Sequence, residues 1–276
     1  VYDCIERAMD LVEGGSVYSA DGGPTAGTIS AGDSLAALDE IVFNQKLLTM
    51  EQVLHAMSTN YEDMETVPAG PEIRAILLNK APKFGNDDER ADKWVVELED
   101  YIGSSYRYKY RSSKYGKGPV PCCYSYSQSP VTGNIAFGKS IGATPDGRKD
   151  GQPVNNGISP ANGSEKKGAT AACNSVMKLP SIWFQKGAIF NMRLSKGALD
   201  TDENKEKVIA MIKVLFENYG QQIQFNVVDN KVFREAMEHP DEYKDLMVRV
   251  SGYSALFTSL SPECQMDVIN RAELEL

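Results

Sequence analysis

Residues 246–257 read Leu246-Met247-Val248-Arg249-Val250-Ser251-Gly252-Tyr253-Ser254-Ala255-Leu256-Phe257. Apolar side chains at 246, 248 and 250 alternate with their neighbours, the period of a half-buried strand. A glycine then interrupts the pattern, with full-sized residues on both sides. Glycine inside a strand adds no packing surface and gives up more backbone freedom than any other residue. A bulge, a tight turn or a close backbone contact is the ordinary explanation, and the flanking chain has to decide whether it suffices.

Working back from that stretch, a helix is predicted over about 231–238, and Gln222–Val227 alternates as a strand. Before it, Thr201 or Asp202 caps a helix carrying Val208, Ile209, Ile212, Leu215 and Phe216 on one face. Gly220 sits where a C-terminal cap belongs. A further strand covers Ala188–Leu194. Strand, helix, strand, helix, strand points to parallel βαβ units and an α/β fold. Beyond the glycine, Ser261-Pro262-Glu263 is a helix start with Pro at the first helical position.

Upstream, residues 14–32 read as a loop rich in small residues. Asp33 or Ser34 caps a segment running to about Gln45. Thr49 and Gln52 fit a capping box for a helix ending near Asn60. A helix follows over 72–79, and a longer one begins after Asn86-Asp87-Asp88 and carries Trp94, Val95, Leu98 and Tyr101. Residues 112–170 hold many Gly, Pro, Ser and Asn and read as loops, with turns at Ala143-Thr144-Pro145-Asp146-Gly147-Arg148 and Asn155–Gly168. That much irregular chain in a compact domain points to functional loops.

Composition removes several classes of function. The 276 residues carry a net charge of −9, so no nucleic-acid partner is expected, because phosphate binding needs a basic surface. The basic, aromatic run at Arg107-Tyr108-Lys109-Tyr110-Arg111, with Lys114 and Lys117, reads as the solvated end of a helix. No apolar run approaches the length of a membrane span, and no signal peptide opens the chain. The five cysteines are Cys4, Cys122, Cys123, Cys173 and Cys264, an odd number without framework spacing, which points to reduced thiols in a cytoplasm. His55 and His239 lack a second ligand at zinc spacing, so no metal is expected.

Three segments imitate chemical sites. Gly133-Asn134-Ile135-Ala136-Phe137-Gly138-Lys139-Ser140 matches the phosphate-loop pattern, but Gly142, Pro145 and Gly147 forbid the helix that must follow it. Cys122-Cys123 reads as two thiols on opposite faces of a strand, with no histidine nearby in sequence to activate either. Asp87-Asp88-Glu89 with Asp92 lacks the alternating ligands and turn glycine of a calcium loop and reads as a charged helix start.

Gly252 remains. Arg249-Val250-Ser251-Gly252-Tyr253-Ser254, followed by Leu260, Gln265, Ile269 and Arg271, resembles the C-terminal signature of the glycyl radical enzymes. Three other segments resemble that family in its order: Lys80-Ala81-Pro82-Lys83-Phe84-Gly85-Asn86-Asp87-Asp88, Gly142–Arg148, and Asn156-Gly157-Ile158-Ser159-Pro160. The resemblance supplies a chemical reason for a bare α-carbon. A radical centred there can flatten, because no β-carbon crowds the plane, and the unpaired electron then spreads into the flanking peptide groups.

What the resemblance implies can be stated residue by residue. The cofactor is a glycyl radical formed on Gly252 after translation, with Arg249, Ser251 and Tyr253 shaping the loop and no metal in this chain. A radical-SAM iron–sulfur activating enzyme removes the hydrogen. A cysteine on a facing loop relays the radical to a small-molecule substrate inside a closed barrel. The family places that cysteine in a Gly-Cys loop, and this sequence has no Gly-Cys dipeptide. Cys4 matches a position after that loop. The chain therefore reads as the C-terminal part of a glycyl-radical β/α barrel, ending in a radical loop and terminal helix. Residues 1–240 form the barrel part and residues 241–276 the radical domain. Such a piece is a truncated chain, a processed piece or a subunit of a split enzyme. It is expected to be inactive alone, to need the upstream portion or subunit, and to join a homodimer. The leading expectation is a lyase or dehydratase of a small polar molecule. The rivals are an arylacetate decarboxylase or fumarate-adding synthase, a spare radical subunit for a damaged partner, and a nucleotide binder built on Gly133–Ser140.

Overall fold

Where a Ser, Thr or Asp precedes an apolar period, this chain starts a helix, and those caps fix most of its architecture. A computed structural model describes residues 3–10, 15–16, 22–108, 125–129 and 131–274. The first described helix is α1 (Thr28–Ala37), which continues into a wider π-helical stretch to Asn44. Then α2 (Met50–Ser58) starts from a complete capping box between Thr49 and Gln52, and α3 (Gly70–Asn79) follows. Asp88 accepts the first amide bonds of α4 (Glu89–Tyr108) through its carbonyl. Among the described residues of the loop-rich middle are the short helices α5 (Gly133–Lys139) and α6 (Gly168–Met177).

The sheet comes next. Strand β1 (Asn191–Leu194) is followed by α7 (Asp202–Glu217), whose N-terminus is capped by the Thr201 hydroxyl. Strand β2 (Gln224–Asn226) leads to α8 (Asn230–Glu238), capped by Asp229. Strands β3 (Met247–Arg249) and β4 (Ser254–Leu256) precede α9 (Pro262–Ile269), capped by Ser261, and β5 (Glu273–Leu274). β1 lies in the middle of a parallel sheet, with β2 on one side and β5 on the other.

The structure corrects the sequence reading in five places. The strand ending at Val250 does not join the parallel sheet; it pairs antiparallel with β4. The third parallel strand is β5, supplied after the terminal helix. Helix α1 begins five residues before Asp33, because Gly27 takes a left-handed φ of +87° and starts the helix with no side-chain cap. Of the face predicted for α7, Val208 and Leu215 are buried, but Ile209 and Phe216 are half exposed and Met211 is buried with the first two. Helix α6 starts inside the segment read as loop and has no counterpart among the predicted helices; Ala169, Ala172, Cys173 and Val176 bury one face of it at helical spacing. At the end of α7 the left-handed residue is Tyr219, at φ +65°. Gly220 serves close approach: a β-carbon there would stand 2.6 Å from Leu215 Cγ.

Among the described residues the buried apolar side chains form three groups. One fills the space between the sheet and α4, α6 and α7 and includes Phe190, Met192, Leu194 and Leu215. A second joins α1, α2 and α3 around Ile41, Tyr61 and Leu77. The third is local to the C-terminal segment: Phe233, Ala236, Val248, Val250, Phe257, Val268 and Ile269. Each fully buried Leu, Ile or Phe contributes about 1.5–3 kcal/mol, so this segment has its own hydrophobic anchor for the hairpin.

Asp33 lies inside α1, fully buried. Its Oδ1 accepts the Phe84 N–H at 2.7 Å, while its Oδ2 has no partner. Burial pushes its carboxyl up to about 7, against the pull of Lys83. The folded protein thus holds this proton to higher pH than the unfolded chain does. Stability from this group is full below the ordinary carboxylate range and falls as pH rises toward 7. Asp33→Asn keeps the acceptor for Phe84 and cannot ionise. Urea titrations are expected to show the variant gaining on the parent between pH 5 and pH 8, and an unchanged difference would contradict this assignment.

Candidate functional site

Gly252 sits in the turn of the β3–β4 hairpin. Met247, Val248 and Arg249 pair with Leu256, Ala255 and Ser254, and the Val250 N–H donates to the Tyr253 carbonyl at 3.0 Å. Ser251 and Gly252 are the two residues between. Gly252 has φ +78°, a conformation that L residues adopt at a cost, so turn geometry is one reason for a glycine here. Space is another: a β-carbon would stand 3.0 Å from Ile189 Cδ1. Val248 and Val250 plug the hairpin into the third core.

The loop is held by polar side chains from distant parts of the chain. The Gly252 N–H donates to Gln224 Oε1 at 3.2 Å. Buried Ser251 donates its hydroxyl to Asn156 Oδ1 at 2.7 Å. Arg249 meets its neighbours through its main chain, since its side chain faces outward. Its N–H donates to Asn226 Oδ1 at 2.8 Å, and its carbonyl accepts from Asn226 Nδ2 at 2.7 Å and from Arg271 at 3.1 Å. Arg271 also donates to the Val250 carbonyl at 2.6 Å and pairs with Asp267 at 3.3 Å. Tyr253 is 37% exposed, and partial burial with Cys264 nearby raises its phenol above the usual value.

A cavity of about 580 Å³ opens beside the turn, with Gly252, Ile189, Ser129, Gln185, Lys186 and Gln222 among its walls. The hydrogen bond to Gln224, the first residue of β2, and the approach of Ile189 place the glycine at the N-terminal ends of the parallel strands. Ile189 is fixed in turn by the Asn156–Pro160 segment: its carbonyl accepts the Ile158 N–H at 2.9 Å. The other motif segments build scaffold. Lys83 donates to the Asp146 carbonyl at 2.8 Å, and the Arg148 guanidinium donates to the carbonyls of Ile141, Gly142, Lys149 and Gln152.

The remaining sequence candidates fall elsewhere. Gly133–Lys139 forms α5 itself rather than a loop before a helix, and Lys139 pairs with Glu263 at 2.6 Å. Asp87, Glu89 and Asp92 all reach Lys178, with Asp92 at 2.7 Å, so a lysine occupies the centre of that acidic group. Among the described residues no cluster of three metal-ligating side chains occurs. Cys4 is partly exposed. Cys122 and Cys123, and the basic run from Lys109 onward, lie outside the described residues.

Sequence reasoning missed Gln224, Asn226, Asn156 and Asn191 as parts of the site. A signal existed in β2: the residues alternating with Ile223, Phe225 and Val227 are Gln222, Gln224 and Asn226. A solvated face usually includes charge. An all-amide face that is buried, as Gln224 and Asn226 are at 7% and 6% exposure, has its partners inside the protein.

A parallel strand pair feeding a glycine-tipped, amide-held hairpin beside a cavity defines the class. Comparison with known proteins gives the family. The Glycine radical family model matches residues 154–258, and the Pyruvate formate lyase-like model matches residues 1–137. This chain belongs to the glycyl radical enzymes. It is 38% identical over 275 residues to the probable dehydratase YbiW of Escherichia coli, covering 99% of this chain and 33% of the relative. It is 35% identical to the trans-4-hydroxy-L-proline dehydratase of Clostridioides difficile, again covering 99% and 33%. Among solved structures, the glycerol-bound B12-independent glycerol dehydratase from Clostridium butyricum superimposes with a TM-score of 0.88 at 36% identity, over 100% of this chain and 33% of that one. The chain thus spans about a third of the length of these relatives, and its fold is a segment of the glycyl-radical barrel.

Proposed function

We infer that Gly252 is the radical-bearing glycine. The chain would then be the radical-storing part of an oxygen-sensitive lyase or dehydratase acting on a small polar molecule. The observation that carries this reading is the placement of Gly252 within the matched Glycine radical region, in a turn beside a cavity. In this reading a radical-SAM activating enzyme removes a hydrogen atom from the Gly252 α-carbon. The stored radical takes a hydrogen atom from a cysteine thiol supplied by the rest of the protein, and the thiyl takes one from substrate. Each step moves one hydrogen atom; the product radical then takes a hydrogen atom back from the thiol and the thiyl takes one back from Gly252, so the radical is restored and no net oxidant is consumed during turnover. Arg249, Ser251 and Tyr253 keep the turn in place, Arg249 by its main chain and Ser251 by its hydroxyl.

Relatives named as dehydratases favour loss of water over decarboxylation or addition to fumarate. The test uses the full-length protein, activated anaerobically and offered glycerol, propane-1,2-diol and trans-4-hydroxy-L-proline, with arylacetates and fumarate acceptors as the second set. Activation-dependent release of water from a polar alcohol is the expected result. Turnover without activation, or only of the second set, would contradict the dehydratase reading.

A further inference from the structure

The Gly252 amide stands at the head of a buried line of hydrogen bonds that runs in one direction to a carboxylate. Gly252 N–H donates to Gln224 Oε1 at 3.2 Å, and Gln224 Nε2 donates to Asn191 Oδ1. Asn191 Nδ2 donates to Asn156 Oδ1 at 3.4 Å, and Asn156 Nδ2 to Asn134 Oδ1 at 3.2 Å. Asn134 Nδ2 ends the line on Asp267 Oδ1 at 3.1 Å. All five side chains are at most 7% exposed. Two branches return to the loop. Ser251 donates to the same Asn156 oxygen, and Arg271, paired with Asp267, donates to the Val250 carbonyl.

The directions matter. Every amide accepts from the side nearer Gly252 and donates toward Asp267. In a buried chain of this kind each bond polarises the next. The carboxylate at the far end therefore strengthens Gln224 Oε1 as an acceptor for the Gly252 N–H. That bond also fixes the plane of the Ser251–Gly252 peptide. How far an unpaired electron on the α-carbon spreads into that peptide depends on the torsion φ; at the +78° of the glycine before activation, the spreading that the resemblance implies is small on the Ser251 side. An exposed turn glycine without such a hold would sample many torsions.

We propose that Gln224 is a positioning residue: it fixes the peptide plane at Gly252 and, as the first acceptor of an amide relay ending on Asp267, sets the spin distribution of the radical. This rests on the reading of Gly252 as the radical site. Two variants of the full-length protein test it. Gln224→Leu removes the acceptor, whereas Gln224→Glu keeps an acceptor for the N–H and withdraws the donor from Asn191.

Two readouts separate the outcomes. In unactivated protein, hydrogen exchange of the Gly252 amide is expected to run about fivefold faster in Gln224→Leu than in the parent, and to stay slow in Gln224→Glu. After activation, the electron paramagnetic resonance spectrum of Gln224→Leu is expected to show a changed α-hydrogen splitting and faster decay, and that of Gln224→Glu a smaller but resolved change in splitting, because the hold on the Gly252 N–H is kept while the link to Asn191 is lost. If Gln224→Leu does not fold, Gln224→Glu against the parent supplies the comparison, and a splitting unchanged by loss of the Asn191 link overturns the relay. Parent-like exchange in Gln224→Leu overturns the grip. Faster exchange with an unaltered spectrum leaves Gln224 as a structural residue and overturns its role in spin distribution. A parent that yields no radical overturns the reading of Gly252, while the exchange experiment still judges the grip.

Discussion

Gly252→Ala is expected to give a folded protein that cannot be activated. Two effects have to be kept apart. The backbone at φ +78° suits glycine, so alanine strains it by about 1–2 kcal/mol. Its methyl group would also stand 3.0 Å from Ile189 Cδ1, a side-chain tip that can move aside. Those costs are small against the stability of an ordinary domain, and the hairpin keeps its anchors at Val248, Val250 and Phe257. The chemical effect is total. A β-carbon opposes flattening of the α-carbon and occupies the side facing Ile189. Full loss of the radical signal with a modest fall in the urea midpoint is the expected pair of results. An undiminished signal would refute the assignment of Gly252.

Arg271→Ala is expected to have the largest effect on stability. Arg271 is buried, and it neutralises Asp267 while donating to the Arg249 and Val250 carbonyls. Its removal leaves a buried carboxylate without its cation and withdraws a donor from two carbonyls beside the turn. Breaking a buried pair in this way costs about 3–5 kcal/mol. The loss should appear as a lower midpoint in urea and as faster amide exchange across Val248–Leu256. Removing both charges, as Asp267→Asn with Arg271→Met, should be milder than Arg271→Ala alone, because no uncompensated charge is left buried. A single variant as stable as the parent would show that Arg271 does not hold the loop.

The parts of this fold that were legible in the sequence are those decided within a few residues. Thr49, Thr201 and Ser261 cap their helices through bonds three residues long, so their side chains announce them. The start of α1 was hidden because Gly27 begins it by backbone conformation alone. The pairing of β3 was misread for a different reason. Alternation gives a strand's period but not its partner, and β3 closes on β4 across four intervening residues, through a turn whose glycine sequence alone leaves open between geometry and chemistry. Resemblance, not periodicity, led to Gly252. The residues that hold it were invisible because their contacts span the chain: Gln224 lies 28 positions from Gly252, and Asn156 lies 95 positions from Ser251. Asparagine and glutamine in loops and strands carry no local sign of which distant group they will meet.

Whether Gly252 stores a radical is decided by where the unpaired electron resides. The most direct measurement is electron paramagnetic resonance of the full-length protein, activated anaerobically after growth with glycine labelled with carbon-13 at the α-carbon. The expected result is a doublet from one α-hydrogen in unlabelled protein, a further splitting from the labelled carbon, and no signal in Gly252→Ala prepared in parallel. A spectrum indifferent to the label, or one that survives in Gly252→Ala, would contradict it.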